Sequence, residues 1–127
     1  YERIVSERKS EYPKPADPDK KLKEMIASFR WMSGERRYTL SLDAGLLNCD
    51  CFAGNHMQGN GYDWEKVASA FIKKQGIDSE KKFRFDCEAD TFSITSSSKK
   101  ILKEFAISFH KFVMDTSAFE EFLSQLS

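Results

Sequence analysis

A surplus of basic charge is the first thing this chain does without. Lys plus Arg and Asp plus Glu each total 20 in 127 residues, so the formal net charge is zero. A protein that holds DNA or RNA replaces the counterions on phosphate and carries an excess of cations to do so. The balance here argues against nucleic acid as the main partner and leaves room only for a local basic patch. No apolar run reaches the length of a membrane span, and no apolar stretch flanked by small residues opens the chain as a secretion signal would. Residue 1 is Tyr, not Met, so this start is compatible with an export signal removed upstream. Cysteine is scarce. Cys49, Cys51 and Cys87 are an odd number without framework spacing, which argues against a disulfide scaffold and for a reducing compartment. The expected location is the cytoplasm.

What is there suits one folded domain. The hydrophobic fraction is 40% and the charged fraction 31%, and this length can enclose a real core without metal or disulfide staples. Phe occurs 11 times; each buried ring removes a large apolar area from water, so a few of them close a small core. The first 20 residues are polar, charged and hold all three prolines, Pro13, Pro15 and Pro18. They read as an N-terminal extension (1–20) that Tyr1, Ile4, Val5 and Tyr12 can anchor, followed by a single α+β domain (21–127).

Periodicity sketches that domain. Asp17-Pro18-Asp19 resembles a helix start, with a short helix expected near 18–25 and a strand near 27–32. Ser33-Gly34-Glu35 reads as a hairpin turn. Tyr38, Leu40 and Leu42 alternate on one face of a strand over 36–43. Residues 46–52 read as its partner strand, with Leu47, Cys49 and Cys51 on one side. A polar, glycine-rich loop over 54–61 leads to a helix that Asp63 caps and Trp64 opens, with Val67, Ala68, Phe71 and Ile72 as its apolar stripe and Gly76 as its stop. Strands follow near 82–86 and 92–95. A cap among Ser96, Ser97 and Ser98 starts a long helix to about 114, and Asp115 or Thr116 starts the last one. The expected architecture is an antiparallel sheet of four to five strands with two or three helices packed on one face.

Chemical motifs are few. Cys49, Cys51, His56 and Cys87 have poor zinc spacing, since structural zinc wants two or more residues between paired cysteines, and small buried hydrophobes explain the thiols as well. A Cys–His nucleophile pair with His56 or His110 lacks a third orienting group. Gly59-Asn60-Gly61 precedes a helix, but no Lys-Ser/Thr follows it, and Asp63 and Glu65 would repel a phosphate there. No metal and no cofactor is expected. The most suggestive segment is Phe85-Asp86-Cys87-Glu88-Ala89-Asp90-Thr91-Phe92. Its three acids fall at every second position, so an extended chain projects them on one side. A solvated turn, a carboxylate pair for acid–base or metal chemistry, and an acidic patch for a basic protein surface all fit that spacing.

Two stretches together carry a family resemblance. Gly59-Asn60-Gly61-Tyr62-Asp63-Trp64-Glu65-Lys66-Val67-Ala68 resembles the helix-opening motif of the immunity protein 51 family. The 85–92 segment resembles that family's second motif, which runs Phe-Asp, a spacer, Glu-Ala, a spacer, then Phe. Thr91 departs from it, because the family often has Met before the last Phe. The resemblance covers roughly residues 27–126 and leaves the first 25 without a counterpart. It implies a non-enzymatic protein encoded beside a bacterial polymorphic toxin, which binds that toxin domain and blocks it; charge balance and the lack of long apolar runs add the expectation of no nucleic-acid and no membrane partner. Asp86, Glu88 and Asp90, with Tyr62 and Asp63 nearby, are the expected partner contacts. Gly61, Trp64, Phe85 and Phe92 are expected to shape turns or core. The alternative is a small ligand-binding or hydrolytic domain using the Asp86, Glu88 and Asp90 carboxylates.

Overall fold

The computed structural model describes residues 18–76 and 82–126. The anchors expected at Tyr1, Ile4, Val5 and Tyr12 lie outside the described residues, as do Pro13 and Pro15. In chain order the elements are α1 (Lys20–Met25), β1 (Arg30–Ser33), β2 (Tyr38–Asp43), α2 (Cys49–Gly54), α3 (Gly61–Lys74), β3 (Arg84–Phe85), β4 (Thr91–Ser96), α4 (Lys99–Met114) and α5 (Thr116–Leu126). The four strands form one antiparallel sheet in the order β1-β2-β4-β3. The α+β class and the antiparallel sheet are as the periodicity indicates.

Strand alternation sets the two faces of the sheet. Trp31, Leu40, Leu42, Phe92 and Ile94 are buried and turn toward the helices. α3 and α4 lie against the sheet, α5 packs on α4 and α2, and α1 packs on α4. Between them runs a continuous aromatic core. Trp64 sits with its ring centroid 5.1 Å from Phe52 and 5.4 Å from Phe119, while Phe109 stacks on Phe105 at 4.9 Å. Edge-to-face and tilted contacts outnumber stacked ones, as the ring quadrupole favours.

Two expectations are corrected. Residues 46–52 do not pair with β2; they turn into α2. Asn48 adopts a left-handed conformation with φ 57°, which ends any extended run, and its side-chain amide donates to the Val113 carbonyl at 3.0 Å. Cys51 and Phe52 are buried while Cys49 is exposed, so the alternation that suggested a strand is coincidental. The place beside β2 belongs to β4, paired along its whole length from Tyr38↔Ser96 to Asp43↔Thr91. The second correction concerns α3. Asn60, not Asp63, is its cap: the Asn60 Oδ1 accepts from the Asp63 N–H at 2.8 Å. The Asp63 carboxylate reaches back to accept from the Gly59 N–H at 2.9 Å, a reciprocal arrangement akin to a capping box.

Asp19 does not cap α1 through its side chain. It is buried and accepts hydrogen bonds from the Trp31 indole at 3.1 Å and the Ser33 hydroxyl at 2.7 Å, and it pairs with the Lys99 ammonium at 2.7 Å. This cluster ties the start of α1 to β1 and to the first turn of α4. The Lys99 hydrogen bond, opposed by burial and reinforced by Ser33 and Trp31, holds the Asp19 carboxyl below its ordinary value.

Candidate functional site: an acidic turn locked onto a helix start

The connection between β3 and β4 is a tight turn. The Glu88 N–H donates to the Thr91 carbonyl at 2.8 Å and the Thr91 N–H to the Glu88 carbonyl at 3.2 Å, while the Asp86 N–H donates to the Ser93 carbonyl at 2.9 Å. Two other segments hold the turn from outside. The Gly61 N–H, at the first residue of α3, donates to the Ala89 carbonyl at 2.9 Å, and the Ala44 N–H, just past β2, donates to the Asp90 carbonyl at 2.9 Å. The turn's carbonyls are thus consumed by the scaffold. Its acids are left outward: Asp86, Glu88 and Asp90 are all exposed.

Gly61 makes this junction sterically possible. It is buried, and a Cβ there would overlap the Glu88 and Thr91 carbonyl oxygens, which are backbone and have nowhere to go. The helix start and the acidic turn, 27 positions apart from Gly61 to Glu88, therefore meet through a position that admits only glycine. Tyr62 follows at 55% exposure, and the clefts that it lines are formed with Lys66 and Leu126. Asp63 belongs to the same helix start, but its carboxylate is occupied by Gly59. Trp64 and Phe92 are fully buried and Phe85 is half-buried. The indole N–H of Trp64 meets no hydrogen-bond acceptor among the described residues.

The other chemistry-bearing side chains do not converge. Cys87 lies under the turn, its sulfur 3.4 Å from the Ser93 N–H. Burial pushes its thiol up to about 11, with Glu65 and Asp86 adding to the rise, so it is a protonated, weakly nucleophilic group at neutral pH. Burial also raises Cys51. His110 packs edge-on to Phe29 at 6.0 Å, and His56 is exposed. Among the described residues no three His, Cys, Asp or Glu side chains gather in a way that could hold a metal ion, and no helix is long and apolar enough to cross a membrane.

The two segments that meet at Gly61 both fall within residues 29–127, the stretch matched by the family model for immunity protein 51. The chain belongs to the immunity protein 51 family. No curated protein and no solved structure matches it. In this chain the close approach of Gly61 to the Glu88 and Thr91 carbonyls is a physical reason for glycine to open one motif and a tight turn to sit in the other. An immunity function follows from membership, and with it a protein partner.

What sequence reading misses here is the opposite end of the same hairpin. Arg36, Arg37, Lys82 and Arg84 gather around a cleft closed by Thr95, Ser96 and Ser97. These residues come from separate parts of the chain. Only the pairing of β4 with both β2 and β3 brings them together.

Proposed function

We propose that this protein neutralises one cognate toxin domain by binding it one to one in the cytoplasm and covering its active site, and that Asp86, Glu88 and Asp90, with Tyr62 beside them, form a principal contact. The observation that carries the reading is the acidic turn itself. Its backbone is held from two sides while its carboxylates are exposed to a partner. Preorganised charge of this kind steers encounter and discourages wrong partners without needing a pocket. A basic surface on the toxin is the complement it calls for. Asp63 supports the contact indirectly, by fixing the start of α3 beneath Tyr62. Among the described residues, four clefts are lined without Asp86, Glu88 or Asp90, two of them with Tyr62 and one of those also with Asp63, so these clefts lend the ligand-binding or hydrolytic alternative for the three acids no support.

The test is co-purification with the C-terminal domain of the large protein encoded next to this one. A stable one-to-one complex that abolishes toxicity is expected. Replacing Asp86→Asn, Glu88→Gln and Asp90→Asn together should weaken that complex by about tenfold or more, on the order expected for charged contacts, and leave thermal unfolding unchanged. Undiminished affinity in the triple variant would remove the turn from the interface.

A further inference from the structure

The cleft at the far end of the hairpin holds about 380 Å³ and is lined by four cations, Arg36, Arg37, Lys82 and Arg84. All four are exposed. Among the described residues none of them reaches a carboxylate within ion-pair distance; the ion pairs there are Arg30–Asp43 and Lys99–Asp19. Glu35 shares the β1–β2 turn but does not line the cleft. Two of the three wall hydroxyl groups, those of Thr95 and Ser96, already have work within the fold. Thr95 donates to the Arg84 carbonyl at 3.3 Å, and the Ser96 hydroxyl accepts from the Ser98 N–H at 3.1 Å. What remains directed at a ligand is uncompensated positive charge, three parts of it guanidinium, the group best shaped to grip a carboxylate or phosphate with two bonds.

The location decides between those anions. Arg84, Asp86, Glu88 and Asp90 occupy alternate positions of one hairpin strand and its turn, and all are exposed. At about 3.4 Å per residue the charge along this strand changes sign within about 7 Å, from Arg84 to Asp86, and the six residues of β4 beside it span roughly 17 Å. A nucleic-acid backbone entering the cleft would carry its phosphates on toward three carboxylates. A protein surface can present both signs at that spacing. Between the two ends lies the face of the sheet that no described helix covers, where Thr39, Ser93 and Thr95 are half-buried.

We infer that the basic cleft is a second contact of the same interface, taking a carboxylate-bearing segment of the toxin domain while the acidic turn meets its basic surface. The inference rests on the immunity reading above. Opposite charges at two ends of one face fix the orientation of the partner, which a single patch does not.

The full chain in complex with the co-purified toxin domain provides the test. Arg37→Glu with Arg84→Glu is expected to weaken binding on the order of tenfold or more at low salt. Lys103→Glu with Lys111→Glu, both exposed on α4, makes the same change in net charge, leaves binding unchanged and so controls for it. Carbodiimide coupling, which joins a lysine amine to a touching carboxylate, is expected to link Lys82 to a toxin Asp or Glu. Wild-type affinity in the double variant, with Lys82 uncoupled, overturns the second contact and leaves the acidic turn standing. Inorganic phosphate bound by the wild type and lost in the double variant, with toxin affinity intact, overturns it in favour of a phosphate site. Failure of the wild-type chain to form any complex overturns the immunity reading itself.

Discussion

At Gly61 the fold depends on an atom that is not there. The helix start approaches the 88–91 turn so closely that a methyl group would collide with two backbone carbonyls. Unlike a flexible side chain, those carbonyls are fixed by the hairpin and cannot step aside. Gly61→Ala is expected to destabilise the protein by about 2 kcal/mol or more, seen as a lower urea midpoint. Gly76→Ala is a useful comparison, because Gly76 has open space around it but φ 75°, so it suffers only the left-handed strain of about 1 kcal/mol. Asp19 makes a different residue-scale argument. Its carboxyl is held below the ordinary value chiefly by the Lys99 ammonium, so the folded state prefers it ionised more than the unfolded chain does. Its contribution is fully present above the unfolded value, at about pH 4, and is lost as pH falls through the lower folded value. Urea midpoints measured from about pH 7 down to about pH 2.5 should show this loss in the wild type. Asp19→Asn should begin less stable at neutral pH, by about 1–3 kcal/mol, and show a flatter acid limb. Equal acid limbs would mean that other carboxylates govern acid unfolding.

Among the elements, the long helices were legible because each repeats its apolar stripe for several turns. The stripe of α4, with Leu102, Phe105, Phe109 and Val113 buried, and that of α3, with Val67, Ala68, Phe71 and Ile72, cannot be read as strands. Ser98 capping α4 was legible for the same local reason: its hydroxyl accepts from the Ile101 N–H. α2 was not, because over six residues the two periods overlap, and the choice was made by distant groups. β4 fills the slot beside β2, and Asn48 is held in its left-handed turn by the Val113 carbonyl on α4. Asn48 thus has two tasks that substitution can separate. Asn48→Gly keeps the backbone conformation and loses the hydrogen bond, while Asn48→Ala loses the bond and adds left-handed strain. The alanine variant should be less stable than the glycine variant by about 1 kcal/mol, measured by chemical denaturation. An alanine variant equal to or above glycine would show that the backbone there relaxes freely. The candidate site was half legible. The alternating acids and the glycine-rich helix start are visible as local patterns. Their junction through Gly61 and Ala89 is not, since nothing local signals which turn a helix start will touch.

For the whole molecule, a net charge of zero conceals a polar arrangement. The acids of the 86–90 turn gather at one end of the β3–β4 hairpin and the cations Arg36, Arg37, Lys82 and Arg84 at the other. The basic end escaped sequence reading because its members are distant in the chain and the overall balance masks them. An object with zero net charge has no monopole to keep copies apart, yet its opposite ends attract. The attraction should be visible in dilute buffer and vanish near physiological salt, where the screening length of about 8 Å is shorter than the separation of the ends. Light scattering should therefore give a negative second virial coefficient at about 10 mM salt that rises toward zero at about 150 mM. The decisive variant carries Arg36→Gln, Arg37→Gln, Asp86→Asn and Glu88→Gln together, which removes two charges of each sign and leaves the net charge at zero. If the ends are what attract, this variant loses most of the salt dependence at unchanged net charge. If it keeps the wild-type dependence, the attraction arises elsewhere on the surface, and the two-ended charge arrangement has no influence on how the protein meets its surroundings.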